Sequence, residues 1–220
     1  MTDRPERNGH DRNSSKWADA VLRWRARDVL RKTQLEHHLP RAGLLLDLGS
    51  GEGHIAEAIV RNAPGRSCVM LEPIWSISPH VARRIAALSC FAIKGSGTHL
   101  PFPDVTFDGV WAAFVLHHVL FDGQQAILSE IRRVLRPDAA FVLLEDTPDN
   151  TREAETTLRA DRRLNAEPDE APHHYRSPGE WRRDLRGLGF SIEREVPFTR
   201  LFPPASLGRV QHRAFMCRRQ

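Results

Sequence analysis

The chain has little of what would send it outside the cell, into a bilayer or onto a nucleic acid. Its three cysteines, Cys68, Cys90 and Cys217, stand singly in apolar surroundings, without the paired spacing of a disulfide framework or a zinc site. Reduced, buried thiols in a cytoplasm are the expectation. No apolar run approaches the roughly 20 residues that a membrane helix needs, so insertion into a membrane is not expected. Residues 1–16 are polar and charged with no apolar h-region, which reads as a disordered tail rather than a secretion signal. Charge of one sign is also scarce. The formal net charge is +4, and the basic residues, almost all arginine, are interleaved with acids rather than gathered into a stripe, so nucleic acid is not among the expected partners. Internal repeats and low-complexity tracts are absent.

What is present is one domain's worth of patterned sequence: 220 residues suffice for a single hydrophobic core with decorations, assigned here to 17–220. Residues 16–38 carry Trp17, Val21, Trp24, Val29 and Leu30 at mostly helical offsets and predict one amphipathic helix ended by Pro40. The two tryptophans are read as core or cofactor cover. Short apolar runs at 44–48, 67–71, 91–93, 107–114 and 140–144 predict strands, and helical spacing after the first, at 81–88 and at 124–135 predicts helices between them. That alternation implies a parallel sheet with helices on both faces. Residues 146–176 turn polar, with helical spacing at 154–164, and read as a helical lid inserted over the sheet. Ser177, Pro178 and Glu180 form a helix start with a capping box, and strands near 190–196 and 211–217 close the domain.

The strongest chemical signal is Asp47-Leu48-Gly49-Ser50-Gly51-Glu52-Gly53 at the end of the first strand. Glycines let a backbone turn tightly and approach a ligand, and the next helix opens with free N–H groups at the same place. The dinucleotide fingerprint is G-x-G-x-x-G, whereas the third glycine here follows one residue after the second, which favours S-adenosylmethionine over a nicotinamide cofactor. Glu72 ends the second strand about 20 residues on, where a carboxylate can accept from both ribose hydroxyls.

These segments, together with Gly95-Ser96-Gly97-Thr98-His99-Leu100-Pro101-Phe102-Pro103-Asp104, Phe107-Asp108-Gly109-Val110, Val115-Leu116-His117-His118-Val119 and Glu130-Ile131-Arg132-Arg133-Val134-Leu135-Arg136-Pro137, resemble in order and spacing the class I S-adenosylmethionine-dependent methyltransferases of the menaquinone C-methylase-like superfamily. The match runs over about 44–144. The later His173-His174-Tyr175-Arg176-Ser177-Pro178-Gly179-Glu180-Trp181 looks like a bacterial small-molecule branch of the same superfamily. The resemblance implies a Rossmann-like sheet of seven strands, six parallel and the last inserted antiparallel. It also implies roles: Asp47, Gly49, Ser50, Gly51 and Gly53 for the methionine end of the cofactor, Glu72 for the ribose, Ser96 and Gly97 for the adenine edge, and Phe114 beside the cofactor. Two departures stand out. Ser96 occupies a position where the family commonly has Asp, replacing a charge-assisted bond to the adenine amino group by a neutral one, and Asp138-Ala139-Ala140 replaces the usual Gly-Gly before the fifth strand.

The methyl donor is already a charged sulfonium, so alignment of a nucleophile and exclusion of water dominate. A hydroxyl acceptor would also need a base. His117 and His118 follow the fourth strand at the reactive edge of the sheet and are the candidate catalytic residues; the competing reading is a histidine that packs a helix start. His174 and Tyr175 are candidates for the acceptor pocket. A metal site built from His173 and His174 with Asp169 or Glu170 is rejected, because adjacent residues do not easily ligate one ion. The expected function is methyl transfer from S-adenosylmethionine to an oxygen, nitrogen or carbon of a small-molecule acceptor. Its rival is a cofactor-binding regulatory or scaffold protein that kept the fold and lost turnover.

Overall fold

The structure is a computed structural model and describes residues 11–73, 79–165, 173–201 and 209–220. Two helices, α1 (Asp11–Thr33) and α2 (Leu35–His38), precede the alternation β1 (Ala42–Leu48), α3 (His54–Arg61), β2 (Gly65–Glu72), α4 (Pro79–Ala86), β3 (Cys90–Lys94), β4 (Phe107–Ala113), α5 (Phe121–Val134), β5 (Leu135–Asp146). Then follow α6 (Thr151–Asn165), α7 (Pro178–Gly187), β6 (Phe190–Leu201) and β7 (Arg209–Arg219). The seven strands make one sheet in the order β3-β2-β1-β4-β5-β7-β6. The first five are mutually parallel, and β7 runs antiparallel between β5 and β6. The order reverses between β1 and β4, whose C-terminal ends therefore flank the crevice where open α/β sheets bind ligands.

Alternation along the strands builds two cores. Leu46, Leu48, Val69, Leu71, Val110 and Ala112 point to the face covered by α5 and α7 through Leu128, Ile131, Trp181 and Leu185. Their neighbours Leu45, Cys68, Met70, Trp111, Val142 and Leu144 point to the opposite face, covered by Val29, Leu35 and Ile59 of α1, α2 and α3. Successive side chains of a strand face opposite ways, so each buried strand reads as a continuous apolar run. Buried Arg66 on β2 fastens the second face by donating to the carbonyls of Glu36, Leu39, Pro40 and Ile59 at 2.7–3.2 Å. No helix among the described residues is long and apolar enough to cross a membrane.

Several sequence expectations are corrected. Helix α1 begins at Asp11, so 11–16 are helical rather than tail; a polar turn carries no apolar period by which to recognise it, and residues 1–10 lie outside the described set. The single helix over 16–38 is broken at Gln34, which adopts the left-handed conformation (φ 55°, ψ 32°) and starts the short α2. Trp24 is 59% exposed, and the side chain of Trp17 lies outside the described residues. The buried stripe of α1 runs through Ala26, Val29 and Leu30, with Leu22 turned to a cavity, and Trp24 sits two residues, about 200° of helix, from both Leu22 and Ala26. Residues 166–172 and 202–208, with Asp169, Glu170 and Phe202-Pro203-Pro204, are outside the described residues. The capping box at α7 is present in full: the Ser177 hydroxyl accepts from the Glu180 N–H, and the Glu180 carboxylate accepts from the Ser177 N–H at 2.8 Å. Asp138, at φ 59°, occupies the left-handed position a glycine would relax, which Asp tolerates better than most residues.

Candidate active site

The Gly-rich turn hangs from β2. The N–H groups of Gly49 and Ser50 both donate to the Leu71 carbonyl, at 2.8 and 3.2 Å, and the Gly51 N–H donates to the Glu72 carboxylate at 3.0 Å. Gly49, Gly51 and Gly53 all have positive φ, at 71°, 50° and 71°, but they are glycines for different reasons. A Cβ on Gly49 would lie 2.3 Å from the stiff, branched Val115 and one on Gly53 2.1 Å from the end of Met70, whereas around Gly51 nothing stands within 4 Å. Packing against Val115 and the left-handed backbone both require glycine at position 49, whereas at Gly53 the neighbour is the movable end of Met70 and the backbone conformation sets the requirement. The third faces open space.

That space is a cavity of about 210 Å³ at the C-terminal ends of β1 and β4. Its floor is Asp47, Gly49, Ser50 and Gly51; Ala113 and Phe114 form one wall, His54 and Ile55 at the start of α3 another, and Leu22, Arg25, Ala26 and Val29 of α1 the roof. Asp47 Oδ2 and the Ser50 hydroxyl are buried with no hydrogen-bond partner. Buried polar atoms are rarely left so, and these two line the cavity. Burial, then the nearby Glu72 carboxylate, push the Asp47 carboxyl up to about 8. Phe114 holds φ 60°, an uncommon conformation for an aromatic residue that is typical of functional sites. Its N–H is fixed to the Leu144 carbonyl at 2.8 Å, and its ring meets His212 edge-on at 5.2 Å.

Beside this cavity lies a buried polar cluster. Glu145, at the end of β5, accepts from the Val115 and Leu116 N–H groups at 3.0 and 2.7 Å and so fixes the 3-10 turn Leu116–His118. Its second oxygen meets Nδ1 of His117 at 2.6 Å, and Nε2 of His117 meets Asp161 of α6 at 2.9 Å. His173 contacts the same Asp161 oxygen at 3.0 Å and His118 lies 3.8 Å from it. Burial by itself would lower the His117 imidazole, but Glu145 and Asp161 outweigh it and hold the ring well above its ordinary value. Asp161, pushed up by burial, is brought below the usual carboxylate range by His117, His118 and His173.

Of the residues singled out from sequence, Asp47, Gly49, Ser50, Gly51 and Phe114 converge on the cavity and Gly53 supports their turn. Glu72 touches the turn from outside the cavity lining. Ser96 is exposed, its hydroxyl 2.8 Å from that of Thr98, and neither it nor Gly97 lines the cavity. His117 is 1% exposed, with both ring nitrogens engaged. With both nitrogens facing carboxylates and the ring buried, neither is open to an acceptor's proton in this arrangement. His174 and Tyr175 also lie outside the cavity lining: the His174 ring packs on Phe121 at 5.3 Å and Tyr175 stacks on His117 at 5.4 Å. Arg25, Glu145 and Asp161 were not identified from sequence. Asp161 had a signal, since it falls seven residues after Ala154 and four after Thr157 on the inner face of α6, where a carboxylate needs a partner.

The fold and the Gly-rich turn have counterparts among known proteins. Residues 46–143 match the family model described as a methyltransferase domain. Over this stretch the chain is similar to methyltransferases of the menaquinone C-methylase type. Among similar proteins is a demethylmenaquinone methyltransferase of Thermus thermophilus, 34% identical over 132 residues that make up 59% of this chain and 56% of that protein. Another, of Lactiplantibacillus plantarum, is 37% identical over 120 residues, 52% of this chain and 50% of that one. The chain thus spans about half the length of the curated relatives it matches. The geranyl diphosphate C-methyltransferase of Streptomyces coelicolor shares the fold, with a TM-score of 0.69 at 14% identity over 88% of this chain and 79% of that one.

Proposed function

We propose that this chain transfers a methyl group from S-adenosylmethionine to a small-molecule acceptor. The observation that carries the reading is the orphaned pair, Asp47 Oδ2 and the Ser50 hydroxyl, beneath the open space at Gly51 on the switch point of the sheet. An amino-acid ammonium and carboxylate supply the donors and acceptors that this floor lacks, and Arg25 in the roof adds a cationic group. The cavity is smaller than the roughly 300–1,000 Å³ of a complete small-molecule site, so it suits the methionine end, leaving ribose and adenine to the edge marked by Glu72, Ser96 and Gly97. When bound, the cofactor supplies an electrophilic methyl on sulfonium. The chain's own residues then orient and shield: the turn fixes the cofactor's amino-acid end, Phe114 forms a rigid apolar wall, and α1 keeps water out.

His117 is a positioning residue in this reading. Bridging Glu145 on β5 and Asp161 on α6, it holds α6, the described helix of the segment read here as a lid, against the site. The reading is tested by calorimetric titration with S-adenosylmethionine and S-adenosylhomocysteine. One site is expected in the wild type and none at comparable concentration in Gly51→Val or Glu72→Ala. A folded wild type that binds neither ligand, or a Gly51→Val variant that binds as well as wild type, would overturn it. Binding without formation of S-adenosylhomocysteine across an acceptor panel would instead leave a cofactor-binding scaffold.

A further inference from the structure

The His117 cluster sits beside the proposed cofactor site, and its geometry asks for more than an ion pair. We propose that His117, His118, His173 and Asp161 bind a divalent transition-metal ion of borderline softness, zinc being the type. Three imidazole Nε2 atoms gather around one carboxylate oxygen, Asp161 Oδ2, at 2.9, 3.8 and 3.0 Å. The ligand atoms of His117, His118 and Asp161 lie within 4.8 Å of one another. Nitrogen and oxygen ligands about 2.0–2.1 Å from a tetrahedral ion stand roughly 3.3 Å apart, so small movements bring these three onto one ion, while His173, 3.0 Å from Asp161 but outside that triad, completes the shell by a larger one. A set of three imidazoles and one carboxylate fits zinc, cobalt or nickel better than magnesium or calcium, which prefer oxygen throughout.

An independent observation is the carboxylate behind the set. Glu145 engages Nδ1 of His117 at 2.6 Å and leaves Nε2 directed at the cluster, the arrangement by which ligating histidines are fixed in tautomer and orientation. The four side chains are also largely withdrawn from solvent, at 1% for His117, 3% for His173, 11% for Asp161 and 28% for His118. His118 is the most exposed of the four. Adjacent histidines, the ground for rejecting a metal among His173 and its neighbours, are no obstacle here: the 3-10 turn places the rings of His117 and His118 4.1 Å apart and tilted by 45°. Asp161 lines the cavity with Asp47 and Phe114, so the ion would stand in the cavity wall and fasten α6 to the ends of β4 and β5.

The test uses untagged protein stripped with a chelator and titrated with Co²⁺, followed by its visible ligand-field absorption, and with Zn²⁺, followed by metal content after dialysis. One equivalent of either ion is expected. His118→Ala and His173→Ala, which avoid the fully buried His117, should each weaken binding at least about 100-fold, beyond the roughly 10–100-fold of a supporting residue expected for Glu145→Gln. His99→Ala, an exposed histidine outside the cluster, should leave binding unchanged. Circular dichroism establishes that each variant is folded. The proposal is overturned if folded wild type takes up no ion at micromolar concentration, or if His118→Ala and His173→Ala bind as the wild type does; the cluster is then an ion-pair latch alone. Neither outcome depends on whether S-adenosylmethionine binds.

Discussion

Asp47 carries the sharpest electrostatic consequence at the scale of single residues. Its carboxyl is raised to about 8 by burial and by Glu72, from an unfolded value near 3.9. The folded state therefore holds a proton that the unfolded chain releases. The group costs nothing below about pH 3.9, costs progressively more between about 3.9 and 8, and levels off above 8. The full cost is on the order of 5 kcal/mol. Asp47→Asn removes this titration, so urea unfolding from pH 5 to 9 should give the variant a flatter stability profile than wild type and higher stability at pH 8.5. Cofactor affinity should fall in the same variant. The three glycines of the turn separate stability from binding. Gly51→Ala puts its Cβ in open space and should cost about 1–2 kcal/mol for the left-handed backbone while weakening cofactor binding. Gly49→Ala drives a Cβ against Val115 and should cost more stability than Gly51→Ala in the same denaturation experiment.

At the scale of elements, α7 isolates two terms. Ser177→Ala removes a complete capping box and should cost about 1 kcal/mol; Trp181→Ala empties a fully buried site among Leu128, Ile131 and Leu185 and should cost about 3–5 kcal/mol. Thermal or urea unfolding checks both. The contrast between α7 and α1 also shows what a linear sequence discloses. The start of α7, the strand-turn-helix at 42–61 and the parallel order of β1 to β5 are written in neighbouring residues, where a cap, a glycine or an apolar run acts on its own surroundings. The break at Gln34 and the outward turn of Trp24 depend on which face of α1 meets the sheet, and counting apolar residues does not supply that phase. The polar cluster was still less legible, because Glu145 lies 28 residues and Asp161 44 residues from His117 in the chain. Their roles come from strand order, which places the ends of β4 and β5 together, and from α6 packing across β7.

For the whole molecule, the cavity joins α1 to the C-terminal edge of the sheet, so a ligand there stabilises the folded chain as one body. At a cofactor concentration 100-fold above the dissociation constant the gain is about 2.7 kcal/mol. For a chain of this size that corresponds to a rise in melting temperature of roughly 5–10 °C, measurable by scanning calorimetry and expected to vanish in Gly51→Val. The three thiols provide a second readout. Cys68 and Cys90 are partners across β2 and β3, while Cys217 sits on β7 between β5 and β6. Burial raises all three, Cys68 well above the ordinary thiol range and Cys90 to about 11, so at neutral pH they lack both the thiolate and the access that alkylation requires. Each reacts only when its own stretch of sheet comes apart. The three labelling rates therefore time the opening of the two wings separately, and they reveal whether an occupied cavity slows only the wing that holds it or keeps the entire sheet shut.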